Sequence, residues 1–112
     1  MIKKSMGAVL TASYQEIYTV PTGKKAEWVL MYVTNTSGST SSFSVRIWDD
    51  SLSTYLQVFD AYSLGAKDFF KIGGPENEFI MLAEGDKIEA LDGAGMTMLI
   101  SVIEYNDIIQ GG

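Results

Sequence analysis

Close carboxylate pairs are the side chains of this sequence best placed to do chemistry: Asp49-Asp50, Glu76/Glu78, Glu84/Asp86 and Glu89/Asp92. Two carboxylates perform general acid–base work when different surroundings push their pKa values apart. These sit among Ser, Gly and Lys, in turn-like sequence where water solvates both partners alike. The spacing therefore predicts turn residues and no catalytic pair. Oxygen-rich runs such as Asp49-Asp50-Ser51 and Glu84-Gly85-Asp86 offer the ligand type that Ca²⁺ prefers, but neither has the spacing of a calcium loop. Gly73-Gly74 and Gly93-Ala94-Gly95 read as turn or bulge glycines, too near acidic residues to cradle a phosphate.

The chain contains no His and no Cys. Those zeros remove His- or Cys-based nucleophiles and bases, thiolate or imidazole zinc sites, and disulfides. The expectation is a protein that is not an enzyme and needs no cofactor and no metal. Fourteen acidic residues against eight basic ones give a net charge of −6 and a pI near 4.4. A surface of that sign does not neutralise phosphates, so no nucleic-acid partner is expected. No run approaches the ~18 apolar residues of a membrane span, and no membrane partner is expected. The apolar stretch after Lys3-Lys4 is broken by Thr11, Ser13 and Gln15, too soon for a secretory h-region. Synthesis in a reducing cytoplasm suits a chain without Cys.

Any surface that acts must be held by strands. At 112 residues and 46% apolar content the chain supports one packed domain. Turn signals recur every eight to twelve residues, with no sustained 3.6 periodicity. Strands are expected over 14–20, 27–34, 43–49, 54–59, 67–72, 77–82, 87–91 and 96–105, with one helical turn over 63–68 as the sole exception. Short connections require antiparallel pairing. The fold class is thus all-β, an antiparallel two-sheet β-sandwich of jelly-roll or immunoglobulin-like type with about eight strands. Residues 1–13 are expected as an N-terminal arm, 14–108 as the single sandwich domain, and 109–112 as a frayed tail. Strict alternation predicts a core of Val29, Met31, Val33, Phe43, Val45, Ile47, Ile80, Leu82, Ile88, Met98, Ile100 and Val102.

That alternation leaves Trp28, Tyr32 and Trp48 on the opposite faces, while Tyr55, Phe59, Tyr62, Phe69 and Phe70 crowd the middle of the chain. Such aromatics complete a two-sided core, meet a neighbouring subunit, or stack on sugar rings. Arg46, the single arginine, lies between Ser44 and Trp48 on an outer face and is a candidate interface anchor. In the arm, Ile2, Met6, Val9 and Leu10 are the large apolar side chains available to lie on a neighbour. The predicted partner interface is therefore Ile2, Met6, Val9, Leu10, Trp28, Tyr32, Arg46, Trp48 and Tyr55.

The segment Ile17-Tyr-Thr-Val-Pro-Thr-Gly-Lys-Lys25, the strand ending Val33-Thr-Asn-Thr-Ser37, the alternating strand Phe43 to Ile47, the stretch Leu82-Ala-Glu-Gly-Asp-Lys-Ile88 and the close Gly95-Met-Thr-Met-Leu-Ile-Ser-Val-Ile-Glu104 resemble a known pattern. It is that of small β-sandwich virion structural proteins of tailed bacteriophages. The resemblance covers residues 14 to 105, and its motifs are turn chemistry. It implies a bacteriophage structural protein located in the virion, foremost a capsid decoration or cement protein, with a tail or neck component as the alternative. The partners it implies are other virion proteins, either major capsid or tail proteins, together with copies of the chain itself as a homo-oligomer, with a trimer expected. From another class, a carbohydrate-binding host-recognition module would use Trp28, Tyr32, Trp48 and Tyr55 as a platform. The aromatic middle, Tyr55 to Phe70, departs from the virion pattern.

Overall fold

A computed structural model describes residues 1–73 and 80–106. Turn chemistry and alternation divide the described residues into nine strands: β1 (Ile2–Val9), β2 (Gln15–Thr19), β3 (Lys24–Thr34), β4 (Ser41–Asp49), β5 (Thr54–Leu64), β6 (Phe69–Gly73), β7 (Ile80–Leu82), β8 (Lys87–Asp92) and β9 (Thr97–Asn106). All pairing is antiparallel. One sheet runs β1-β9-β3-β6, with β7 also on β3, and the other runs β2-β8-β4-β5. β6 pairs with residues 30–34 of β3 and β7 with residues 26–28, so the two lie end to end along one edge of β3. Nine strands therefore occupy the eight positions expected. Apart from the β4–β5 hairpin and the passage from β6 to β7, each connection switches sheets. This order is that of a jelly roll, and it excludes the immunoglobulin-like alternative.

The apolar inner faces meet in one core, with Trp28, Met31, Val33, Phe43, Val45, Ile88, Met96, Ile100 and Val102 fully buried. Ten of the twelve expected core residues are buried, and Ile80 packs against the core at its margin. Val29 is the exception, and its neighbour explains why. The register of β3 against β9 slips between Trp28 and Leu30, so Val29 is the extra residue of a β-bulge. A bulge reverses the parity of everything before it. Ala26 and Trp28 consequently face inward together with Met31 and Val33. Gly73 of β6 lies against this kink at φ +94°, and a Cβ there would fall on the Val29 carbonyl oxygen.

Residues 2–9, expected as part of an arm, form an edge strand paired to β9 along its whole length. Leu10 ends it, only 1% exposed, its N–H donating to the Met96 carbonyl at 2.8 Å. The alternation Ile2, Lys4, Met6, Ala8, Leu10 on one face is a strand pattern, diluted by small residues. The expected helical turn is instead a tight turn in which the Asp68 N–H donates to the Gly65 carbonyl at 3.2 Å. The pair Glu76/Glu78 and the tail 109–112 lie outside the described residues.

Turn acids fix the sandwich ends. Asp92 accepts the hydroxyl of Ser41 at 2.9 Å and the N–H groups of Ala94 and Met96 at 2.8 and 2.9 Å. Asp86 accepts those of Asp50 and Ala83. Buried Asn35 closes the loop after β3: its amide donates to the carbonyls of Ser39, Leu64 and Gly65 and its Oδ1 accepts from Ser37.

Candidate interaction surfaces

The two sheets leave two outer faces, and the candidate residues divide between them. On β4, Arg46 and Trp48 point outward, beside Glu89 and Lys87 of β8 and Gln57 and Tyr55 of β5. Arg46 Nε donates to Glu89 Oε1 at 2.8 Å. Its guanidinium lies between the rings of Tyr14 and Tyr55, 3.7 Å from each centroid. Trp48 meets the Tyr55 ring edge-on at 4.9 Å, and its Nε1 donates to Asp50. Gln57 donates to the Tyr14 hydroxyl at 2.9 Å. The result is a fixed plate in which planar groups hold one another at little cost in side-chain entropy. Tyr14 and Glu89 complete it. Sequence reasoning reads the first as a strand start and the second as a turn acid; the signal that finds them is the cross-strand register, which no local pattern contains.

On the five-stranded sheet, β9 carries Thr97, Leu99, Ser101, Ile103 and Tyr105 outward, flanked by β3 and β1. Tyr32 stands opposite Leu99, with the Phe69 ring 6.5 Å away. Val9 is 62% exposed, Phe69 59%, Met81 50% and Leu99 45%. Leu99, Phe69 and Met81 are absent from the interface expected from sequence, although Leu99 alternates out of phase with core residues Met98, Ile100 and Val102.

Three of the sequence-based interface expectations need correction or division. Trp28 is wholly buried, turned inward by the Val29 bulge, and Leu10 is core; neither can meet a partner. Tyr32 lies on one outer face and Trp48 and Tyr55 on the other, so the expected four-residue sugar platform does not assemble. One face of Tyr55 is also covered by Arg46. Ile2 and Val9 are exposed, while Met6 is half-buried against the core. The crowded aromatics of the middle form their own cluster: Phe43, Phe59, Tyr62 and Phe70 pack with centroids 4.8–6.0 Å apart, closing the gap between β5 and β6.

Glu104 is a buried carboxylate, 2% exposed, set where β9 meets β1 and β2. It accepts the Tyr18 hydroxyl at 2.5 Å and pairs with Lys4 Nζ at 3.1 Å, which ties β9 to β2 and β1. Burial opposes its ionisation, but those two hydrogen bonds and the charges of Lys4 and Lys24 prevail and hold the carboxyl below its ordinary value. Burial first, then the bond to Glu104 and its negative charge, push the Tyr18 phenol up. Among the described residues no group of three acidic side chains is disposed to hold a metal ion. No described helix is long and apolar enough to cross a membrane.

No protein-family model matches the chain, and no curated protein matches it in sequence. Among solved structures, the fold is similar to that of a chain from Bacillus endospore appendages, described as a family of disulfide-linked pili. The TM-score is 0.53 at 11% identity, over 94% of this chain and 85% of that one. A chain of PirA aligns over 92% and 93% of the two lengths at 10% identity, with a TM-score of 0.43. At such identities the likeness to the appendage subunit concerns the fold alone, and that to PirA carries no argument. What the comparison adds to the strand order is that the chain shares a β-sandwich architecture with a known protein across nearly its full length.

Proposed function

We propose that the chain is a non-enzymatic structural subunit that works in many copies, with its outer sheet face covered by a neighbour. The observation that carries this reading is the outer face of the five-stranded sheet. Val9, Leu99, Phe69 and Met81 stand exposed there around half-buried Tyr32, Leu30 and Ile103. A contiguous patch of large apolar side chains marks an interaction site. Covering what remains exposed of each is worth about 1 kcal/mol, taken as half the value of full burial.

Within that class, a virion component of a tailed bacteriophage is the finer reading, capsid decoration before tail or neck. Its support is the sequence resemblance, whose motifs meet in space. Val20 N–H donates to the Asp86 carbonyl, Gly85 N–H to the Val20 carbonyl and Gly23 N–H to Glu84, so the Pro21–Lys24 turn and the Glu84–Asp86 turn form one unit. A fibre subunit, as in the Bacillus appendages, belongs to the same class, but a chain without Cys cannot use the disulfide links of those pili.

Sedimentation of the wild type across concentrations, alongside the double variant Leu99→Lys, Phe69→Lys, tests the class. Concentration-dependent association that the variant loses at unchanged circular dichroism is expected. A wild type that stays monomeric and does not bind purified phage particles overturns the reading. Gold-labelled antibody on intact virions decides between head and tail.

A further inference from the structure

We propose that a second copy of this chain docks on the free edge of β1, pairing antiparallel with the other copy's β1 about a two-fold axis through Met6. This rests on the reading of the chain as a self-associating subunit and names the edge that such a contact uses.

The two sheets treat their edges differently. β5 ends the four-stranded sheet, and its register against β4 slips twice, at Val58 and at Asp60–Ala61, where Ala61 has φ +52°. Bulges of this kind twist an edge away from further pairing. β1 ends the five-stranded sheet and runs eight residues in unbroken register with β9. Among the described residues no strand pairs with its outer edge. From Ser5 to Val9 it has no Pro, no bulge and no charge. Charged residues guard such edges in monomers, and β1 has two, Lys3 and Lys4. Lys4 is already engaged by buried Glu104. Only Lys3 remains as a guard.

Register follows from side-chain direction. In an antiparallel pair, opposing residues point to the same face, so a two-fold pair with both outer faces on one side must be centred on a residue. Centring on Met6 sets Met6 beside Met6 of the second copy, Ser5 beside Gly7, Lys4 beside Ala8, Lys3 beside Val9 and Ile2 beside Leu10. The aliphatic stem of Lys3 then covers Val9, which is 62% exposed here. No lysine opposes another. Parallel in-register pairing would set Lys3 against Lys3 and does not close on two copies. Centring on Ser5 leaves Val9 opposite Met1, beyond the strand. The occupant is thus a second copy, because the same edge supplies apolar residues where its partner needs them and keeps its charges apart.

The tests use the full chain. Val9→Lys places a lysine opposite Lys3 at an already exposed site and is expected to weaken association at least tenfold with circular dichroism unchanged. Lys3→Glu added to it restores association to within about twofold. Since the chain has no Cys, Met6→Cys supplies a single thiol that falls opposite itself, within the Cα spacing a disulfide needs. Mild oxidation is expected to give a covalent dimer from Met6→Cys, and none from Val9→Cys, whose thiols would lie some six residues apart. If the wild type associates but Val9→Lys leaves association intact, or Ser5→Cys or Val9→Cys cross-links as readily as Met6→Cys, the edge pairing is wrong while the subunit reading stands. A wild type that never associates ends the edge pairing, and it ends the subunit reading as well only when purified phage particles also fail to bind it.

Discussion

Replacing Glu104 tests whether a buried carboxylate holds the first two strands to the last. Glu104→Ala removes the acceptor of the Tyr18 hydroxyl and the ion-pair partner of Lys4. Tyr18 is 8% exposed, so its hydroxyl has no ready access to water, and leaving such a group unsatisfied costs about 1–3 kcal/mol. The Lys4 side chain is 44% exposed, so its ion pair adds only about 0–1 kcal/mol after solvent screening. A loss of about 3 kcal/mol corresponds to a fall in Tm of about 12 °C for a domain of this size, at about 4 °C per kcal/mol. Glu104→Gln keeps an acceptor for Tyr18 and gives up only the charge, so its loss is smaller, about 1 kcal/mol at neutral pH. The pH dependence has a fixed sign. The carboxyl titrates lower in the folded chain than its ordinary value of 4.5, so its stabilisation is complete above that value and drains away as pH falls through the folded one. Thermal melts of wild type and both variants between pH 7 and pH 3 read this directly. The gap between wild type and Glu104→Gln should narrow in acid. An Ala variant melting within 2 °C of wild type, or a gap that widens in acid, refutes the reasoning.

Two further outcomes rest on the same kind of accounting. Asn35→Ala strands the carbonyls of Ser39, Leu64 and Gly65 and releases Ser37, so urea titration should show a loss of about 2 kcal/mol, with Asn35→Asp no substitute because it lacks the donor. Gly73→Ala combines positive φ with a collision against the Val29 carbonyl and should cost at least about 2 kcal/mol, whereas Gly38→Ala, with open space around it, should melt within a degree or two of wild type.

Much of the architecture is legible in the residues because strands advertise themselves locally. Alternation marks Phe43, Val45 and Ile47 as one face of β4, and Pro21-Thr-Gly23, Glu84-Gly-Asp86 and Asp92-Gly-Ala-Gly95 mark where strands stop. The absence of His and Cys restricts the chemistry whatever the fold. What alternation cannot supply is parity across a bulge. One extra residue at Val29, accommodated by Gly73 forty-four positions away on another strand, turns Trp28 from a surface candidate into the largest buried side chain. Residues 2–9 look like an arm because Gly7, Ala8 and Ser5 dilute their apolar pattern. They are a strand because β9, nearly a hundred residues later, supplies the hydrogen-bonding edge. Burial of Glu104, the stack of Arg46 between Tyr14 and Tyr55, and the separation of Tyr32 from Trp48 all depend on which strands become neighbours. Strand type and turn position are set by residues within a few positions of each other and can be read from sequence. Face, neighbour and exposure are set by pairing between distant segments, and only the folded sandwich decides them.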